Sequence, residues 1–211
     1  SISIVVEISS DNQLWMENRR VDVRAVRANI QRLLAEDPEA PVTIKVAKGA
    51  TTGVVTVLDS RGFHGGLSGK QNLKVISAAA GIADSRVDDV LEQVELGDAK
   101  DKKVKNYSLG MKQRLSLAGA LLGDPEILIL DEPANGLDPI GIAWLRTFLQ
   151  ELSKGGRTIL ISSHQLAEMQ NTIDDVLVIH KGKLIKSGTL DEITEGQTLE
   201  EAFLRLTGGA A

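Results

Sequence analysis

The stretch that most constrains this chain is Pro125 to Leu130, a short apolar run set between Gly123-Asp124 and Asp131-Glu132. A run of this length, rich in Ile and Leu and bounded by turn formers, suits a buried strand of a parallel sheet. Arg157 to Ile161 reads as a second such strand, ending at Ser162-Ser163-His164. Between them, Asn135-Gly136-Leu137-Asp138-Pro139 is a turn of strong helix breakers. Upstream, Tyr107-Ser108-Leu109-Gly110-Met111-Lys112-Gln113-Arg114 leads into an apolar helix, Leu115 to Leu122. Parallel strands alternating with helices make this an α/β chain.

Two adjacent carboxylates at the end of a buried strand are costly unless they face a site. Asp131 could hold a Mg²⁺-bound water, and Glu132 could polarise an attacking water. The other reading is that both cap the helix that follows. A lone histidine is more often structural than catalytic, but His164 stands at a strand end, where open α/β sheets place their ligands. Ser108 and Gly110, opening a helix, would turn backbone N–H groups and the positive end of the helix dipole outward, which suits a phosphate.

Composition narrows the class. The chain has 211 residues, 42% hydrophobic and 25% charged, which excludes a wholly disordered protein. A net charge of −5 leaves no footprint for nucleic acid or an anionic membrane surface. With no cysteine there is no disulfide framework and no thiolate site. No apolar run approaches the ~20 residues of a membrane span, and no charged-then-apolar leader opens the sequence, so a soluble chain is expected. The lysines around Lys102, Lys103 and Lys105 read as a solvated face.

The first segment differs in character. Ile2 to Ile8 reads as a strand, Asp11-Asn12 as a turn and Gln13 to Glu17 as the second strand of a hairpin. Val23, Val26, Ile30, Leu33 and Leu34 follow a helical period after an Asp22 N-cap, stopping before Asp37-Pro38. Pro41 to Ala47 is another strand, and Gly49 to Gly53 a loop or helix start. Residues 1–62 resemble the periplasmic domain of the ExbD/TolR family on Ile8 to Trp15, Glu36 to Ile44 and Val54 to Asp59. That resemblance implies an incomplete ββαβ piece, without its preceding membrane helix or closing strand.

Residues 57–195 resemble the ATP-binding subunit of an ABC transporter, with the flavour of bacterial drug or antibiotic exporters. The resemblance makes Ser108, Leu109, Gly110, Met111 and Lys112 a variant signature motif that contacts nucleotide, and Ile127 to Asp131 the Walker B strand with Asp131 at the metal. It makes Glu132 the catalytic carboxylate, Gly136-Leu137-Asp138 the D-loop, with Asp138 at the nucleotide, and His164 the switch histidine. Val176 to Ile179 and Ser187-Gly188-Thr189 look like the hairpin that follows in the family. ATP and Mg²⁺ are the implied cofactors. The implied partners are a second copy or a complete ABC subunit, and a membrane-embedded permease.

One family element is missing from these residues. No G-x-x-x-x-G-K-[ST] loop is present: Gly69-Lys70 is followed by Gln71, and Gly49 to Gly53 holds no Gly-Lys pair. The position of the Q-loop glutamine falls on Asp59, and the adenine-stacking aromatic has no identifiable counterpart, Trp15 being a stand-in only by accident of folding. Val54 to Asp59 fits either the last helix of the ExbD-like unit or the ABC strand before the Q-loop; its β-branched content favours a strand.

These readings lead to a three-layer, P-loop-NTPase-like α/β fold. It has a mostly parallel sheet in residues 41–180, a helical subdomain near 68–120 and a helical flank from Leu190 to Leu206. An ExbD/TolR-like α+β piece replaces the usual N-terminal sheet, making the chain a chimera divided into 1–62 and 63–211. The ABC half is expected on the cytoplasmic side, whereas the first half resembles a periplasmic domain. Three functions follow: an ATP-binding domain impaired by the missing lysine, a half-site partner whose signature completes another subunit's site, or a recombined fold with no activity.

Overall fold

The structure, a computed structural model, describes residues 4–8, 14–16, 19–21, 32, 42–46, 54–57, 63–181 and 183–208. The chain divides into two compact units, 51–164 and 1–50 with 165–211.

The first unit is built on a three-stranded parallel sheet, β5 (Val54–Val57), β6 (Ile127–Asp131) and β7 (Thr158–Ser162), with β6 in the middle. Val57 lies opposite Leu130, and Asp131 opposite Ser162. Leu128 and Leu130 are fully buried on one face of β6, whereas Ile127 and Ile129 are half-buried on the other. The segment from 54 to 57 is thus a strand, as its β-branched residues favour.

Between β5 and β6 lie α1 (Gly69–Ala80), α2 (Ser85–Gln93) and α3 (Leu109–Leu121). Helix α3 is apolar on several faces and buries Leu115, Leu117, Ala118, Ala120 and Leu121 among its neighbours. Leu73 of α1 and Val87, Val90 and Leu91 of α2 complete that core. Ser68 starts α1 with a reciprocal capping box to Gln71, and Gly81, at φ 69°, ends it in a left-handed turn. Helix α4 (Pro139–Lys154) joins β6 to β7; Asp138 is its N-cap, and Pro139 fits the first turn.

In the second unit, β1 (Ile4–Ile8), β2 (Leu14–Met16), β3 (Arg19–Val21) and β4 (Val42–Val46) form a sheet of order β3-β2-β1-β4. The expected hairpin is β1 with β2, and β4 runs parallel to β1. Of the helix expected after Asp22, only Arg32 is among the described residues, and it is helical. The Gly49–Gly53 loop and Asp59 lie outside them.

The same unit contains α5 (Leu166–Met169), the antiparallel pair β8 (Asp175–His180) and β9 (Lys183–Thr189), α6 (Leu190–Thr194) and α7 (Leu199–Thr207). Val178, Ile193, Leu199 and Ala202 form its core, with Leu166, Val176 and Phe203 packed around them. Thr189 and Thr198 each open a helix with a capping box, to Glu192 and Glu201.

The expected mostly parallel sheet over residues 41–180 is corrected in extent. The parallel sheet runs from β5 to β7, while β4 pairs with β1 and β8 pairs with β9. Apolar periodicity identifies a strand but not its neighbour. The tight connection at Lys181, φ 50°, folds β9 back antiparallel on β8.

Two tests follow. A Cβ at Gly69 would collide with the Tyr107 hydroxyl, which donates to the Ala99 carbonyl at 2.7 Å. Gly69→Ala should therefore cost about 1–3 kcal/mol in urea unfolding. Adding Tyr107→Phe should restore part of that loss by removing the colliding oxygen.

Asp88 lies 2.8 Å from Lys70 Nζ and 3.4 Å from Lys100 Nζ, and the Lys70 hydrogen bond holds its carboxyl below the usual range. That stabilisation is fully present above the ordinary carboxyl value near 3.8 and is lost as pH falls through the lower folded-state value. Asp88→Asn should melt lower than wild type at neutral pH, and the gap should close on acidification.

Candidate functional site

The in-register ends of β6 and β7 bring four side chains together. Glu132 N–H donates to both the carbonyl and the hydroxyl oxygen of Ser162, each at 3.1 Å. The Ser162 hydroxyl in turn donates to Asp131 Oδ1. His164 Nδ1 lies 2.8 Å from Glu132 Oε1. The histidine is 66% exposed and the glutamate 32%. With Nδ1 facing Glu132, Nε2 is the ring nitrogen that can meet a further partner.

Glu132 sits at φ 47°, a left-handed conformation that disfavours a residue with a Cβ. Strain of this kind persists where surrounding contacts fix the backbone, here the two hydrogen bonds to Ser162. The carboxylates do not cap α4: Asp138 does, accepting from Gly141 N–H at 2.8 Å.

The second group lies at the start of α3. Ser108 is its N-cap, its hydroxyl accepting from Met111 N–H at 3.2 Å while its carbonyl accepts from Lys112 N–H at 3.0 Å. The first-turn amides of Leu109 and Gly110 have no partner within the helix, as at any helix N-terminus. This turn packs against the one that follows Glu132. A Cβ on Gly136, at φ 74°, would stand 2.6 Å from Leu109 Cδ2, and one on Gly110 would stand 3.8 Å from Leu137 Cδ2. Leu109 itself remains 44% exposed.

Ser162 therefore links Asp131 to the Glu132 backbone, Glu132 holds His164, and Leu109 and Gly110 of the Ser108 to Lys112 turn are set against Gly136 and Leu137. Ser162 was not singled out by the sequence. The signal was available in register: aligning the two apolar runs puts Asp131 opposite a hydroxyl. Among the described residues no group of three or more His, Asp or Glu side chains could hold a metal alone. One carboxylate with a hydroxyl beside it still fits Mg²⁺, which takes one or two carboxylates and completes its shell with water and phosphate.

This arrangement is that of an α/β fold with a cluster of polar and charged groups at the carboxyl ends of parallel strands, where such folds place their ligands. The ABC transporter family model matches residues 9–135, more than half of the chain, and the chain belongs to that family. The match begins upstream of the 62/63 junction read from the sequence and runs across it.

The bacitracin transport ATP-binding protein BcrA of Enterococcus faecalis is 44% identical over 142 residues, covering 66% of this chain and 46% of that protein. The lantibiotic transport ATP-binding protein SrtF of Streptococcus pyogenes is 40% identical over 148 residues, 70% of this chain and 63% of that protein. The chain thus spans between about half and two-thirds of the length of these relatives.

Among solved structures, cbiO1 from Clostridium perfringens, part of the ABC transporter complex cbiONQ, has a TM-score of 0.62 at 25% identity, covering 92% of this chain and 70% of that one. An ATP binding subunit of an ABC transporter shares the fold with a TM-score of 0.66 at 21% identity, covering 96% and 86%. Among the described residues no helix is long and apolar enough to cross a membrane.

The strain at Glu132 has a measurable sign. Glu132→Gly should raise unfolding free energy by about 1 kcal/mol in urea, because glycine adopts a positive φ freely. A lower value would mean that the contact with His164 outweighs the backbone cost.

Proposed function

We propose that this chain is the ATP-binding part of an ABC exporter subunit, carrying the groups that act at the γ-phosphate. The observation that carries the reading is the Glu132–His164 contact of 2.8 Å at the ends of adjacent parallel strands, beside Asp131 and Ser162. In this reading Glu132 accepts hydrogen-bonded water and orients it for attack, while His164 Nε2 meets a γ-phosphate oxygen. Asp131, kept in orientation by the Ser162 hydroxyl, would hold Mg²⁺. When bound, Mg²⁺ neutralises charge on the β- and γ-phosphates.

Ser108, Leu109, Gly110, Met111 and Lys112 present a helix N-terminus to nucleotide phosphate, with Asp138 fixing the neighbouring turn. Phosphoryl transfer depends on positioning and charge, so the missing G-x-x-x-x-G-K-[ST] lysine makes affinity low and turnover poor. By likeness to the bacitracin and lantibiotic relatives, the cargo is a peptide antibiotic and the partner a membrane permease, with this chain on its cytoplasmic side.

A second reading is favoured by exposure around the signature turn. Leu109 is 44% and Ile140 78% exposed on neighbouring turns, an apolar pair suited to another ABC subunit. Such a chain would lend its signature to a partner's nucleotide and hydrolyse little itself. We also propose that residues 1–62 are an ExbD/TolR-like piece joined to an ABC remainder. The support is a β1–β2 hairpin with β4 parallel to β1.

The test is calorimetric Mg·ATP binding and steady-state phosphate release, for wild type and Glu132→Gln. The proposal expects weak binding, retained in the variant, and slow release that vanishes in it. Release only on adding a complete ABC subunit selects the half-site reading. A cooperative melt with no binding at millimolar nucleotide, alone or with that subunit, would leave a recombined fold without activity.

A further inference from the structure

The sequence motifs leave one assembly in the first unit unused. Arg114, on α3, holds its guanidinium 4.1 Å from the ring centroid of Trp144, on α4. Trp144 stacks on Phe148 one turn further along α4, with ring centroids 4.9 Å apart and planes at 14°. Phe148 is buried, so the stack is anchored in the core. Arg114 Nη1 also donates to Glu95 Oε2 at 2.6 Å and to the Val94 carbonyl at 3.4 Å, closing the C-terminal end of α2. Glu95 is itself fixed at φ 56°. The guanidinium thus bonds a carboxylate while lying over an aromatic face, a combination for which Arg is better shaped than Lys.

Its place along the helices gives it a consequence for the site. Arg114 and Trp144 each lie six residues beyond the N-cap of their own helix, Ser108 and Asp138. At 1.5 Å per residue, both lie about 9 Å along the axis from those caps. The caps' own turns meet through Leu109 with Gly136 and through Gly110 with Leu137. Two helices touching at one level can roll about it; touching at two, they are fixed in rotation as well as separation.

We propose that Arg114 is a positioning residue, which through Trp144 fixes the Ser108–Lys112 turn relative to the Gly136–Asp138 turn. The inference rests on reading those two turns as nucleotide-facing. A reshaped Arg114 would misplace both turns together without touching nucleotide.

The experiment is amide hydrogen exchange by NMR on the full chain, for wild type, Arg114→Met, Arg114→Lys, Trp144→Leu and the Met/Leu double variant. Arg114→Met and Trp144→Leu should each speed exchange roughly tenfold at Met111, Lys112, Gly141 and Ile142, the amides bonded to the two caps. Leu128 and Leu130 in β6 should be unchanged, the double variant no faster than either single, and Arg114→Lys intermediate. Acceleration confined to 94–96, equal acceleration in β6, additive effects or no change would each overturn the proposal.

A second arm titrates Mg·ATP: the half-saturating concentration should rise in Arg114→Met and recover partly in Arg114→Lys. Should wild type bind no nucleotide, the ATP-binding reading fails, and the exchange pattern alone decides whether Arg114 positions the turns.

Discussion

Strand β6 is paired along both edges, with β5 on one side and β7 on the other, so its backbone groups are satisfied without water. Its burial removes Leu128 and Leu130 entirely from solvent, worth about 1.5–3 kcal/mol for each side chain. Register in a parallel pair with a buried face is tightly specified, since a slip of one residue would turn Leu128 and Leu130 to the opposite side. That constraint places Asp131 beside Ser162 and leaves Glu132 and His164 just beyond the strand ends. The site is therefore a consequence of where two apolar runs stop.

The polar groups there are arranged so that each steadies the next. Ser162 accepts from Glu132 N–H and donates to Asp131, so one hydroxyl orders a backbone amide and a carboxylate. The left-handed backbone at Glu132 is the cost of that geometry, and it turns the side chain to within reach of His164. Neither the carboxylates nor the histidine is deeply buried, which keeps them open to water.

Much of this was legible in the sequence, for identifiable reasons. Pro125 to Leu130 and Arg157 to Ile161 announce strands by apolar content, and Asn135 to Pro139 announces a turn. The strand at Val54–Val57 was legible from its β-branched residues, although helix remained a competing reading. Strand β3 was not, because three residues beginning Arg-Arg at a sheet edge carry no alternating pattern. Ser162 and the Arg114–Trp144 contact were hidden for another reason: both depend on pairing between segments about 30 residues apart, which periodicity along one segment does not encode. The same gap explains the overlong parallel sheet.

The two helix caps show how local chemistry limits what the site can offer. Ser108 uses its hydroxyl on Met111 N–H and Asp138 uses Oδ1 on Gly141 N–H. Those bonds anchor each side chain to its own helix while sparing the Ser108 O–H and Asp138 Oδ2, so what each turn presents is that remaining polar atom together with its first backbone amides and the helix dipole. Backbone amides have no side-chain freedom of their own; their aim is the aim of the helix. Any role of these turns at a phosphate therefore depends on the orientation of α3 and α4, and that orientation is set by Leu109 on Gly136, Leu137 near Gly110 and Arg114 on Trp144.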